Sequence, residues 1–344
     1  MGNLIAYSGL TTKIRAMQSN LISKSEYEEI ANLNSVPELF AYLQQHKGYS
    51  HLLANIDAST AHRGDIESLL RFSTFRDFTK IYNFANAKQR KYLDLYFMTY
   101  EIAVLKRYIR NIFDSRDDSS LTVLKNDFEI HSKIDTKKVS ESSTIEEFVN
   151  NLKGTPYYEP LWKLNSLEHL ALFDYEMCLD LYFFSTLWKS KNKYFKGEEL
   201  DIITRSYGYK IDMLNIMWIY RSKKYYNISS SQIHTLLIPI YYKIKHSEIT
   251  ALVETETLDQ FFAALKYTYY NKYINFNTDH ITLEELQETL LYILHVRDYK
   301  KNPYSIATIN TYLYLKEKEI RNITTATECI RYGYSAEDII KQLS

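Results

Sequence analysis

Glycine and proline are scarce, 8 and 5 in 344 residues. Turn-dense β-folds need both, so their scarcity argues against that class and favours long helices. The two cysteines, Cys178 and Cys329, lie far apart in sequence. They make no CxxC site and no disulfide framework, and two isolated thiols fit a reducing compartment. Neither sign of charge is in excess: Lys plus Arg and Asp plus Glu both count 42. Net charge therefore gives no argument for a nucleic-acid partner, although a local patch remains open. No uninterrupted apolar run approaches the roughly twenty residues of a membrane helix. The greasiest stretch, 92–105, contains Asp94 and Glu101 and reads as a buried helix. No basic region followed by an apolar signal core opens the chain, so no direct transmembrane span is expected.

The motifs of common chemistries are missing too. There is no GxxxxGK[ST] phosphate loop, GxGxxG fingerprint, HExxH pair or GxSxG elbow. His46 and His51 are five apart without further ligands around them, which disfavours a metal site. The acidic pairs Glu28-Glu29, Glu146-Glu147 and Glu284-Glu285 fall in expected first turns, where they favour the helix dipole. Basic stretches at 137–138, 189–196 and 221–224 read as solvated faces or protein interfaces rather than strand-binding grooves, although Tyr194-Phe195 and Tyr225-Tyr226 lie beside the last two. No catalytic, cofactor-binding or metal residue is expected. A site dispersed over distant residues would carry none of these local motifs.

What is present is globular and helical. Apolar residues make up 45% and charged residues 24%, and the length suits two or three domains. Tyrosine is abundant at 32; it combines apolar area with a polar tip. One pattern occurs three times. Ser35, Thr144 and Thr257 precede apolar pairs at offsets four and five: Leu39-Phe40, Phe148-Val149 and Phe261-Phe262. Leucines follow at offset eight, Leu43, Leu152 and Leu265, and tyrosines near thirteen or fourteen, Tyr49, Tyr157-Tyr158 and Tyr270. A hydroxyl suits a helix N-cap, and offsets of four and eight share one helical face. Three related modules follow, with approximate limits 1–120, 121–230 and 231–344 that long helices are free to cross.

Helices are expected at 4–22, after a Ser25/Glu28 capping box, at 35–47, 65–83, 86–113, 166–190, 198–226 and 305–332. Polar loops fall at 114–120 and 275–279, and 121–143 reads as a connector with short helices. Pro156 and Pro160 should end the first helix of the second module, and Pro239 should kink or divide another. Thr282 and Glu285 cap a helix to His295, Gly333 stops the long C-terminal one, and a small helix closes at 335–343.

A second pattern lies in the long helices. Glu101-Ile102 precedes Leu105, Asp212-Met213 precedes Ile216, and Glu319-Ile320 precedes Ile323. Asn215 and Asn322 stand three residues after the last two acids, while Glu101 has no such partner. Each acid borders a helix-period apolar stripe, so each is expected to brace a buried seam by binding a helix end or an arginine of a neighbouring module. Equivalent positions in separate repeats argue against a catalytic triplet.

Both ends of the chain resemble the C subunits of rotary V/A-type ATPases, the family that includes the d subunits of vacuolar ATPases. The resemblance is carried by 7–23 (YSGLTTKIRAMQSNLIS), 314–323 (YLKEKEIRNI) and 329–333 (CIRYG), in that order. It implies an all-α, funnel-like assembly of three similar subdomains in a pseudo-threefold arrangement. It also implies a noncatalytic central-stalk protein without cofactor, one copy per complex, peripheral on the cytoplasmic face of the membrane. Its partners would be the rotor ring and the central shaft, and it would transmit torque for ATP-linked proton or sodium transport. By family-like placement, Lys13, Arg15, Glu319, Arg321 and Asn322 are candidates for architecture or for contacts with partner proteins, with Glu101, Asp212 and Asn215 as repeat equivalents. The alternatives are an unrelated helical scaffold and, behind it, a helical enzyme with a dispersed site.

Overall fold

The computed structural model describes residues 2–53, 63–114, 128–165, 167, 170–226, 228–273 and 282–343. Among these every regular element is helical. Besides a π-helical turn at Ser222–Tyr226 and a 3-10 helix at Tyr269–Tyr273, the α-helices in chain order are α1 (Gly2–Gln18), α2 (Lys24–Ala31), α3 (Val36–Gln45), α4 (Ser50–Leu53), α5 (Arg63–Phe84) and α6 (Ala87–Asp114). Then come α7 (Thr136–Ser140), α8 (Ile145–Asn151), α9 (Tyr158–Asn165), α10 (Leu172–Tyr194), α11 (Gly197–Arg221) and α12 (Ser230–Leu236). The last are α13 (His246–Glu254), α14 (Leu258–Leu265), α15 (Leu283–Lys301), α16 (Ile306–Arg331) and α17 (Ala336–Gln342). The expected loop at 275–279 and most of that at 114–120 lie outside the described residues.

Several helix ends differ from the sequence expectation, each for a physical reason. The capping box of α2 is Ser23 with Glu26, not Ser25 with Glu28: the Glu26 amide donates to Ser23 Oγ, and the Ser23 amide to Glu26 Oε2 at 2.7 Å. α1 stops at Gln18 rather than Ile22: the Asn20 and Leu21 amides turn onto the Met17 and Gln18 carbonyls, and the Ile22 amide goes to a distant carboxylate described below. Pro160 is the third residue of α9 instead of a terminator; a first-turn residue needs no intrahelical donor. α15 runs beyond His295 to Lys301, ending on two lysines that suit a C-terminal dipole. Gly333, at φ 72°, ends α16 in a Schellman turn, with Tyr334 N–H on the Cys329 carbonyl and Gly333 N–H on that of Ile330.

The chain divides into two compact units, residues 1–168 with 302–344, and residues 169–301. In the first, α2, α3 and α17 pack on the C-terminal half of α16, and Ile30, Leu39, Phe40 and Leu43 share a core with Ile323, Ala326, Ile330 and Ile339. α5 runs against both α1 and α16. In the second, α11 packs on α15 and α10, and Arg205 of α11 reaches the buried carboxylate of Asp298 on α15 at 3.2 Å.

Two features of the second unit give sharp expectations. A Cβ on Gly208, within α11, would lie 2.4 Å from the Tyr242 ring. Alanine is the better helix former by about 1 kcal/mol, but overpacking costs about 1–3 kcal/mol. The clash is with the ring base rather than a flexible tip, so Gly208→Ala should lower stability in urea melts; a stabilised variant would refute the close approach. His295 on α15 is only 6% exposed, and burial, then the Lys210 charge, push its pKa down to about 3. Unfolded, a histidine binds a proton below about pH 6.5. Between those values the unfolded state holds more protons, so stability falls as pH drops, by up to about 1.4 kcal/mol per pH unit. His295→Leu should flatten the stability curve across that window relative to the parent, and parallel curves would reject the assignment.

Candidate functional site

The three helical repeats close in one way. Ser35, Thr144 and Thr257 are the N-caps of α3, α8 and α14, accepting from the amides of Glu38, Glu147 and Gln260. The side chains of those residues accept in return from the amides of Asn34, Ser143 and Glu256, each at 2.9 Å. These reciprocal caps stop each short helix from sliding. The offset-four residues Leu39, Phe148 and Phe261 and the leucines Leu43, Leu152 and Leu265 are fully buried. The offset-five residues differ, since Phe40 and Val149 are buried while Phe262 is only half-buried against Tyr220. Tyr49, Tyr157 and Tyr270 follow, at most 1% exposed. A phenol hydroxyl buried so deeply needs a partner, and the three long-helix acids provide it.

Glu101 on α6 accepts from the Tyr157 hydroxyl at 2.5 Å, from the Lys133 amide at 2.6 Å and from the Ser132 hydroxyl at 3.0 Å. Asp212 on α11 accepts from the Tyr270 hydroxyl at 2.7 Å and from the amides of Tyr242, Lys243 and Ile244 at 3.0, 2.7 and 3.1 Å. Glu319 on α16 accepts from the Tyr49 hydroxyl at 2.6 Å, the Ile22 amide at 2.5 Å and the Lys316 ammonium at 2.8 Å. Each carboxylate thus holds the chain just ahead of one short helix (α7, α13 or α2) and a tyrosine just beyond the next (α8, α14 or α3). Ile134, Ile244 and Ile22, one residue before the respective N-caps, are buried with it.

The sockets link in cyclic order. The acid from the first third of the sequence holds the second tyrosine, the next holds the third, and the last returns to the first across 270 residues. Burial raises the Asp212 pKa, opposed by the amides and the Tyr270 hydroxyl. Burial and the facing carboxylates push Tyr270 and Tyr49 well up, so both remain hydroxyl donors.

The Glu319 socket also contains a cation. Lys316, 3% exposed, donates to both Glu319 and the Tyr49 hydroxyl. It lies 4.0 Å from Asp77 of α5, which accepts from Tyr312 at 2.7 Å and meets Lys80 at 3.0 Å.

The asparagines have separate tasks. Asn215 makes two bonds to Ile238, accepting from its amide at 2.9 Å and donating to its carbonyl at 3.0 Å. One turn apart on α11, Asp212 and Asn215 therefore serve the irregular stretch 237–245, where Pro239 divides α12 from α13. A buried segment without helical bonds needs such partners. Asn322 is buried and counteracts the rise that burial and Glu319 cause in the Tyr27 pKa. Lys13 lies over the Phe84 ring at 5.4 Å and Arg15 over the Tyr304 ring at 5.9 Å. Arg321 is exposed and lines a cavity between α5, α6 and α16.

Sequence reasoning found the acids and tyrosines as separate patterns but not their pairing. It also missed Lys316 and Gly208; Gly208 stands one helical turn before Asp212, a spacing visible in the sequence. Chemically, the sockets are acceptors saturated by donors, suited to holding backbone in place. Among the described residues, no group of three or more His, Cys, Asp or Glu side chains could hold a metal ion. Nor is any helix there long and apolar enough to cross a membrane.

Comparison with known proteins extends over nearly the whole length. The profile of the ATP synthase (C/AC39) subunit family matches residues 10–342. The chain is similar to the A-type ATP synthase C subunit of Pyrococcus horikoshii, with 27% identity covering 97% of this chain and 89% of the relative. It is 26% identical to that of Pyrococcus abyssi, again over 97% and 89%. For the Thermococcus kodakarensis protein the figures are 23% identity, 98% and 89%.

Proposed function

We propose, from the premise that this chain belongs to the ATP synthase (C/AC39) subunit family, that it is the noncatalytic central-stalk coupler of a rotary V/A-type ATP synthase. It joins the membrane rotor ring to the central shaft, one copy per complex, peripheral on the cytoplasmic face. It transmits torque for ATP-linked proton or sodium transport. Three similar subdomains in a funnel-like, pseudo-threefold arrangement suit that task. The observation that carries the reading is the cyclic set of carboxylate sockets.

A torque coupler must not let one part creep past another. Close-packed helices transmit strain because their interiors are nearly incompressible. A saturated buried carboxylate adds directionality, since slipping its helix by one turn would break three or four bonds together and leave several groups unsatisfied. A buried carboxylate, Glu101, Asp212 or Glu319, meets that need at each of the three sockets.

Reconstitution tests the assignment. Detergent-solubilised rotor ring and purified central shaft should form one assembly of ring, shaft and this chain only when the chain is added, read by size and protein composition. If well-folded ring and shaft ignore it, the assignment is wrong.

A further inference from the structure

Lys316 in the Glu319 socket has a proton to spare, and a small cavity opens beside it. An ammonium carries three protons. Two of them go to Glu319 Oε1 at 2.8 Å and to the Tyr49 hydroxyl at 2.9 Å. The Tyr49 ring, centred 4.4 Å from Nζ, lies in the direction of its own hydroxyl and so faces the same proton. Among the described residues no hydrogen bond takes the third proton. Asp77 Oδ2 on α5 is 4.0 Å away, beyond direct reach. Lys316 is only 3% exposed, and a donor buried that deeply is costly to leave unpaired.

The carboxylate has matching spare capacity. Asp77 Oδ1 accepts from Lys80 at 3.0 Å, and Oδ2 accepts from the Tyr312 hydroxyl at 2.7 Å. Each carboxylate oxygen has two lone pairs, so Oδ2 can accept once more. A donor and an acceptor at this separation can be bridged by one water making two bonds of roughly 2.8 Å. The space is there. Lys316 and Asp77 line a cavity of about 30 Å³ with Tyr312, Lys80, His51 of α4 and the C-terminal end of α1. A buried water needs roughly 10–15 Å³ and two to four polar partners. An anion in that space would face the Asp77 carboxylate and a cation would face the Lys316 ammonium. Water donates and accepts at once.

We propose that this cavity is a structural water site. The water oxygen accepts the third proton of Lys316, and one of its O–H groups donates to Asp77 Oδ2. The bound water extends the Glu319 socket on α16 to α5, the helix that runs against both α1 and α16.

A crystal structure of the isolated full-length chain tests it. Density for a water should stand within about 2.6–3.2 Å of both Lys316 Nζ and Asp77 Oδ2. Crystals soaked in bromide should show no anomalous peak there. In solution, water-deuteron relaxation dispersion should count one long-lived water fewer in folded Lys316→Met than in the parent, while Asp77→Asn, which keeps an acceptor oxygen, should retain it. Absence of the density overturns the proposal, whether the two side chains stay apart or close into direct contact. A bromide peak overturns it in favour of an anion, and equal water counts for the parent and Lys316→Met overturn it too. The parent's density decides the matter whether or not a variant folds. Because neither ring nor shaft is present, these results are independent of the reconstitution.

Discussion

Asp212→Ala is expected to lower stability by about 4 kcal/mol. The substitution leaves three backbone amides, Tyr242, Lys243 and Ile244, and the Tyr270 hydroxyl without their acceptor. Each buried group left unsatisfied costs about 1–3 kcal/mol; water entering the vacated space recovers part of the sum. Asp212→Asn retains one carbonyl oxygen and should lose roughly half as much. Hydrogen exchange should show the damage first at 237–245 and around Tyr270, the two segments that the carboxylate joins. Protection unchanged there, with the loss spread evenly over the protein, would refute the socket as a local clamp.

Glu319→Ala should cost about 3–5 kcal/mol for a different reason: it leaves the Lys316 ammonium buried beside a neutral socket. Lys316 is 3% exposed and its other carboxylate, Asp77, is 4.0 Å away. Adding Lys316→Met in the Glu319→Ala background should therefore restore stability, although it removes a second polar side chain. Denaturant melts of both single variants and the double decide the matter through their coupling energy. If the double variant is no more stable than Glu319→Ala alone, the buried charge is not the source of the loss. The Glu101 socket, built on a tyrosine, a serine and a backbone amide, serves as the control.

The helical class was legible from the glycine and proline count, and the three short capped helices from Ser35, Thr144 and Thr257. Their hydroxyls act through contacts only three residues away, which a sequence displays directly. The helix ends were less legible where a distant group decides them. Nothing local to Ile22 reveals that its amide belongs to Glu319 rather than to α1. Pro160 misled because the penalty for proline depends on its place within the helix. The acids stood out through repetition, yet sequence reasoning allowed them an arginine or a helix end. Their shared partner is tyrosine, and only three-dimensional proximity shows the shift of each acid to the following repeat.

The return of Glu319 to Ile22 spans 297 positions of sequence. A ribosome adding roughly 5–20 residues per second needs about 15–60 s to cover that interval. Throughout it Tyr49 and the apolar faces of α2 and α3 exist without the helix that covers them. A product of premature termination before α16 should therefore be more sensitive to proteases than the full chain. The core begun by α2 and α3 near the start of the chain is thereby completed only by its C-terminal helices.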